Sequence, residues 1–95
     1  MKQILLSTDG PISLYEVPDK VAENLCKYCS DFLDWIDYAP ETEHFRKEGY
    51  CSEAEFINYI NTKIQHNCFH KSRLIRIVGK EKIPNQYKKL PYFNF

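Results

Sequence analysis

The cysteines and histidines are the residues of this chain whose types and spacing come closest to a chemical site. A C-x-x-C pair, Cys26 and Cys29, together with Cys68 and His70 would supply four ligands of the kinds that zinc prefers. Structural zinc sites place such a pair on a turn, whereas this pair falls inside a predicted helix, where Cys29 has the position of a small buried apolar side chain. We therefore expect no metal and no cofactor, and a small zinc-binding protein is an alternative interpretation.

Catalytic chemistry finds little support elsewhere in the chain. Cys68 lies between His66 and His70, as a nucleophile beside a base would, but a loop does not fix their geometry. Cys26 comes two turns after the predicted start of its helix, too late for the thiol activation of a thioredoxin-type site. No nucleophile elbow, P-loop, H-E-x-x-H motif or dinucleotide fingerprint occurs. The sequence therefore predicts a protein that is not an enzyme.

Charge is segregated along the chain, although the formal net charge is zero. Residues 1–60 carry five Lys or Arg and twelve Asp or Glu, whereas residues 61–95 carry eight and one. Aromatic residues interleave with the basic ones in the final third, a composition that suits phosphate contacts and base stacking. The basic residues concerned are Lys71, Arg73, Arg76, Lys80, Lys82, Lys88 and Lys89. They make a nucleic-acid-binding module the first alternative, although a neutral chain lacks the overall basic charge of such modules.

An acidic ridge at the end of the predicted long helix and just after it carries the leading hypothesis. Its residues are Asp31, Asp34, Asp37, Glu41 and Glu43. Asp34 and Asp37 approach the helix C-terminus, where negative charge opposes the helix dipole, and no basic residue of the helix answers them. Either the chain's own basic third neutralises the ridge, or the ridge stays free and docks a basic surface of another protein. We predict a protein partner, with nucleic acid as the alternative and no membrane.

The helix that presents this ridge is predicted over Asp19–Tyr38. Its apolar residues fill one half of the helical wheel in unbroken order, and the other half is polar. Asp19 behind Pro18 suits an N-cap, and Pro40 stops the run. A face this wide needs a sheet or two further helices against it.

Three apolar segments predict that sheet. Lys2–Thr8 and Ile12–Val17 flank a turn signal and indicate a hairpin, in which Ile12 and Leu14 should face the long helix. Alternation over Arg73–Val78 indicates a third strand, which we place beside the first strand.

Helical signals fill the remainder of the chain. A short helical turn begins at Pro40 and ends at Gly49. A capping box at Ser52–Glu55 starts a second main helix that runs to about Gln65, and one turn is expected over Pro84–Tyr87. The prediction is an α+β fold in a single domain over residues 1–95. It has a three-stranded antiparallel sheet, made of the N-terminal hairpin and a C-terminal strand, with two main helices and one short helix on one face.

The chain closes on an aromatic tail that contains Tyr92, Phe93 and Phe95. Each ring can bury up to about 150–200 Å². Exposed aromatic side chains at a chain end are a liability, so we expect at least one of them to pack on the protein's own core.

The chain also resembles a group of short uncharacterised bacterial proteins in a few segments at its ends. These segments are Ser7-Thr8-Asp9-Gly10, Val17-Pro18-Asp19, Gln86-Tyr87-Lys88 and Phe93-Asn94-Phe95. The resemblance implies a bacterial or mobile-element origin and no particular activity. No stretch fits a signal peptide or a membrane span, so we expect a cytoplasmic protein with reduced cysteines.

Overall fold

A computed structural model describes residues 1–8, 10–44, 52–64, 71–80 and 82–95, and it has an α+β fold. Its strands are β1 (Lys2–Ser7), β2 (Ile12–Val17), β3 (Arg73–Gly79) and β4 (Tyr92–Asn94). Its α-helices are α1 (Asp19–Glu23), α2 (Leu25–Tyr38) and α3 (Glu53–Tyr59). Short 3₁₀ turns lie at Pro40–Thr42 and Asn85–Tyr87, and a π-helical turn, Ile60–Ile64, continues α3. The predicted α+β class, the predicted turn at Pro40 and the predicted turn before Tyr87 are confirmed. The predicted end of the first turn, at Gly49, lies outside the described residues.

The sheet is mixed and has the strand order β3-β2-β1-β4, so the predicted three-stranded antiparallel sheet is wrong in detail. β1 and β2 form the predicted antiparallel hairpin, but β3 pairs with β2 and not with β1. The free edge of β1 is occupied by β4, which runs parallel to it. Backbone hydrogen bonds from Leu5 N to Pro91 O at 2.8 Å and from Phe95 N to Ser7 O at 2.9 Å fix this pairing. The aromatic tail thus takes the place that the prediction gave to β3.

The predicted long helix is divided into α1 and α2 at Asn24. The side-chain amide of Asn24 donates to the carbonyl of Lys20 at 3.1 Å, and the Asn24 backbone leaves the helical region (φ −131°, ψ 42°). Asparagine competes with the helix backbone in this way through its short polar side chain. The N-cap of α1 is Pro18, so Asp19 is the first residue of the helix and not its cap as predicted.

The predicted apolar face of this region is buried despite the break. The helical side of the sheet holds the main core, in which Phe32 and Phe56 are fully buried and Phe95 packs edge-on to Phe32 at 5.7 Å between ring centroids. Other members from the helices are Val21, Ala22, Leu25, Cys29, Ile36, Ile57 and Ile60. The expected packing of the aromatic tail on the protein's own core is confirmed for Phe93 and Phe95.

Ile12 and Leu14 do not face the helices, which corrects the prediction for β2. Tyr15 and Val17 of the same strand pack in the main core. Ile12 and Leu14 instead form a second cluster with Leu5 on the other side of the sheet. Both faces of β2 are buried, so apolar residues occur at both parities of the strand and the alternation does not tell which parity faces the helices.

The start of α3 differs from the predicted capping box. Ser52 is the N-cap residue, but it makes no side-chain bond to a helix amide. Its hydroxyl donates to the Glu55 carboxylate at 3.2 Å instead. The predicted end of this helix at Gln65 lies outside the described residues.

Candidate binding surfaces

The C-terminal half of α2 presents three carboxylates to solvent. Asp31, Asp34 and Asp37 are exposed and recur every three residues, a spacing that places them along one side of the helix. None of the three has an ion pair with any residue that the structure describes. Asp31 also lies close enough to Tyr59 for its charge to add to the effect of burial, and both raise the pKa of that phenol.

The acidic residues after α2 are placed differently. The Glu41 carboxylate accepts from Trp35 Nε1 at 2.9 Å and from Lys63 Nζ at 3.2 Å. These two donors, Trp35 first, lower the pKa of Glu41. Lys63 also lies 5.7 Å from the centre of the Trp35 ring, within reach of a cation–π contact. The charge of Glu41 is therefore paired with Lys63 of the same protein at the surface, and both Glu41 and Glu43 are exposed.

An aromatic side chain extends the row of carboxylates on α2. Tyr38, the last residue of α2, is 80% exposed. It follows Asp34 by four residues and Asp31 by seven, so it lies on the same side of the helix. Sequence reasoning missed Tyr38, although the same spacing rule that grouped the aspartates would have found it.

Three of the predicted basic residues make contacts within the protein. Arg73 Nε forms an ion pair with Glu16 at 2.6 Å across the β2–β3 pair. Arg76 donates to the phenolic oxygen of Tyr87, and this bond lowers the pKa of Tyr87. Lys71, which lies just before β3, donates from Nζ to the backbone carbonyl of Asn61 at 3.4 Å. These residues hold β3 and the segment after it in place.

The remaining basic residues, Lys80, Lys82, Lys88 and Lys89, are exposed. Within the described part of the chain, none of them has an acidic partner. Lys82 and Lys88 line a cavity of about 610 Å³ on the side of the sheet opposite the helices. The structure thus divides the predicted basic set into an engaged group near β3 and a free group further on.

The two cysteines of the C-x-x-C pair have different environments. Cys29 is fully buried in the main core, as predicted, whereas Cys26 is exposed. Cys68 and His70 lie outside the described residues. Among the residues that are described, no group of three His, Cys, Asp or Glu side chains is close enough to hold a metal ion.

A polar cluster that the sequence did not suggest joins α3 to the hairpin. The Glu53 carboxylate accepts from Thr8 Oγ1 at 2.9 Å and from Ser13 Oγ at 3.1 Å, and the Glu53 amide donates back to Thr8. Burial, together with the charge and hydrogen bonding of Glu53, raises the pKa of Tyr15 on the same strand as Ser13. Because the hydroxyls already satisfy the carboxylate, the cluster is a fastening between helix and sheet.

Comparison with protein-family models, with curated proteins and with solved structures found no match. In the described part of the chain, no helix has the length and apolar character that crossing a membrane requires. The case for a function therefore rests on the geometry of the two charged surfaces.

Proposed function

We propose that this protein acts without catalysis, by binding another protein through the part of the acidic ridge that lies on α2. The observation that carries the proposal is the row Asp31, Asp34 and Asp37, which is exposed and has no ion-pair partner among the described residues. Negative charge near a helix C-terminus opposes the helix dipole, so these residues do not serve the stability of α2. A role outside the fold accounts for them.

The partner surface that fits this ridge is basic and carries an apolar or cationic patch. Carboxylates in a row attract a complementary field and speed association, and they discriminate against acidic partners. Tyr38 adds an exposed ring beside them. Tyrosine is enriched among the residues that dominate binding energy, and its ring also accepts an arginine or lysine by cation–π contact. A nucleic-acid-binding channel of another protein has this chemistry.

Two further parts of the proposal come from the sequence. We propose that the protein works in the cytoplasm, where Cys26 and Cys29 would stay unpaired as they are in the structure. We also propose a non-enzymatic role, because no catalytic motif is present and the Glu53 cluster is satisfied by its own hydroxyls.

The test is a charge reversal on the ridge. Asp34→Lys combined with Asp37→Lys should leave the fold intact or slightly more stable, since the helix dipole then meets positive charge. Association with the partner should slow by about tenfold or more at low salt, and the difference should shrink as salt is added. The measurement is quantitative capture from nuclease-treated lysate, followed by association kinetics with the partner that is captured.

A matched control changes the net charge equally on another helix. Asp19→Lys combined with Glu23→Lys alters α1, where the two carboxylates pair with the N-terminal amine and with Lys2 at the surface. Exposed pairs of this kind contribute little to stability, so this variant should fold and should keep most of its binding. Equal losses in the two variants, or a ridge variant that unfolds while binding per folded molecule is unchanged, would refute the proposed interface.

A further inference from the structure

We infer that the cavity between the start of β2, residues 82–88 and β4 binds a nucleotide, either free or as one unit of a single strand. The cavity has a volume of about 610 Å³, within the range of small-ligand sites. It lies on the side of the sheet opposite the three described α-helices. Its lining residues are Ile12, Lys82, Ile83, Pro84, Asn85, Lys88 and Tyr92.

One wall of the cavity is an aromatic ring held in a fixed orientation. Tyr92 is 41% exposed, and its hydroxyl lies 2.8 Å from Ser7 Oγ. Ser7 Oγ itself donates to Asn94 Oδ1 at 2.8 Å, so the single hydroxyl proton of Ser7 is used and Tyr92 must be the donor to Ser7. The ring is thus fixed at its polar end while it remains open to the cavity. A fixed, exposed ring is the feature on which bases stack in single-strand-binding proteins.

The lining of the cavity also carries positive charge that no described residue neutralises. Lys82 and Lys88 are exposed, and residues 82–95 contain no Asp or Glu side chain. Two ammonium groups beside an aromatic ring suit a nucleotide, in which a sugar joins a phosphate to a planar base. Asn85 lies between the two lysines in the sequence and offers both a donor and an acceptor to a base edge.

The wall that carries the lysines is anchored beneath the surface. The 3₁₀ turn Asn85–Tyr87 places Tyr87 in the second core cluster with Leu5 and Leu14, where Tyr87 is buried. Arg76 of β3 then donates to its hydroxyl. This hydrogen bond holds Tyr87 in place, and Arg76 is not among the residues that line the cavity. Lys82 and Lys88 are therefore the phosphate contacts.

The site is independent of the proposed protein interface. The acidic ridge lies on α2 in the helical layer, and the cavity lies across the sheet from that layer. Failure of nucleotide binding would leave the ridge proposal untouched, and loss of the ridge interaction would not alter the cavity. The two can therefore be tested in one purified protein with separate variants.

The experiment measures binding to the full chain with three probes at 50 mM salt. A fluorescein-labelled twelve-nucleotide oligothymidylate reports a strand unit by anisotropy, AMP reports a free nucleotide by calorimetry, and inorganic phosphate reports the anion alone. Binding of the oligonucleotide or of AMP, with clearly weaker binding of phosphate, is the expected result. Whichever of the oligonucleotide and AMP binds more tightly shows whether the ligand is a strand unit or a free nucleotide.

The variants locate the site. Lys82→Gln combined with Lys88→Gln should weaken binding by about tenfold or more, because two phosphate contacts are lost. Lys80→Gln combined with Lys89→Gln removes the same charge outside the cavity and should change binding by less than about threefold. Tyr92→Phe keeps the ring and should bind, while Tyr92→Leu should bind weakly, with circular dichroism and the melting temperature checking that the fold is kept.

Three results would overturn the inference. The first is that neither the oligonucleotide nor AMP binds at millimolar ligand. The second is an equal loss in the two lysine pairs, which would show a diffuse basic surface. The third is phosphate binding as tightly as AMP, or Tyr92→Leu binding like the wild type while folded, which would remove the base from the site.

Discussion

The two sides of the sheet carry surfaces of opposite charge, and the hydrophobic cores beneath these surfaces differ in size. On the helical side, residues 19–44 and 52–64 carry nine Asp or Glu and three Lys. On the other side, residues 82–90 carry three Lys and no acidic side chain. Whole-chain neutrality therefore conceals two surfaces that suit different partners. Net charge describes solubility and long-range steering, whereas the fold decides which charges share a face.

The cores beneath these surfaces differ as well. The helical side buries an aromatic cluster in which Phe32 contacts the rings of Trp35, Phe56, Tyr59 and Phe95. The opposite side buries a smaller set around Leu14, with partly exposed neighbours. The stability of the fold should therefore reside mainly on the helical side.

Truncation of one core residue on each side tests that difference. Phe32→Ala should cost about 3–5 kcal/mol, because a ring surrounded by rigid aromatic neighbours leaves a cavity that cannot collapse. Leu14→Ala should cost about 2–3 kcal/mol, towards the low end for buried leucine, because its neighbours are less enclosed. Urea unfolding of both variants measures the free energies. A larger loss for Leu14→Ala would mean that the side opposite the described α-helices contributes more to the stability of the fold.

The sequence predicts the helical side of the sheet, which holds the main core, well. Apolar residues at helical spacing, such as Val21, Leu25 and Ile36, are buried where the pattern placed them. The break at Asn24 was missed because asparagine is tolerated inside a helix and also bonds its own backbone. Only the contact with the Lys20 carbonyl distinguishes the two outcomes.

The side of the sheet with the smaller core is not predicted by the sequence, because contacts between residues far apart in the chain form it. β4 is three residues long and is defined by its pairing with β1 more than eighty residues earlier, which no local pattern encodes. The side of the sheet that Leu14 faces also depends on long-range contacts, because side chains from residues 83–90 pack on that face of the hairpin. Of the candidate surfaces, the acidic residues of α2 follow directly from helical spacing. The division of the basic set into engaged and free groups depends on tertiary contacts such as that of Arg76 with Tyr87.

Gly79 lies in the sequence between the engaged basic residues near β3 and the exposed lysines that follow. Substitution of Gly79 is a second test of the comparison between the two sides of the sheet. A Cβ atom at this position would contact the backbone oxygen of Lys82, which cannot move away as a flexible side chain would. Gly79→Ala should therefore shift the segment that carries Lys82 and cost about 1–3 kcal/mol, the usual range for overpacking.

Gly10→Ala is the matched control for this change. The atom nearest to a Cβ at Gly10 is the Thr8 oxygen at 3.9 Å, an ordinary contact. That variant should lie within about 0.5 kcal/mol of the wild type. If thermal unfolding gives the same stability for both alanine variants, the close approach of residues 79 and 82 is not a constraint on the basic side.

The smallest expected effect concerns the part of the acidic side that is neutralised within the protein. Hydrogen bonds from Trp35 and then Lys63 lower the pKa of Glu41 below its ordinary value. The unfolded chain therefore binds a proton more readily than the folded one, and the stabilisation is present above the unfolded pKa of about 4.3 and lost as pH falls through the folded pKa. Glu41→Gln should melt a few degrees below the wild type at pH 7, since exposed pairs contribute little, and the gap should close as the pH falls below about 4.3 and through the folded pKa.

Trp35→Phe provides the check on the cause of this pH dependence. It removes the Nε1 donor and keeps a ring beside Lys63, so the stability that remains should depend less on pH across the same interval than that of the wild type. A gap between wild type and Glu41→Gln that stays constant from pH 7 to pH 3 would show that the carboxylate charge is not involved. Glu41 would then join Asp31, Asp34 and Asp37 as a group whose charge the fold does not use, and the free acidic surface would extend beyond the end of α2.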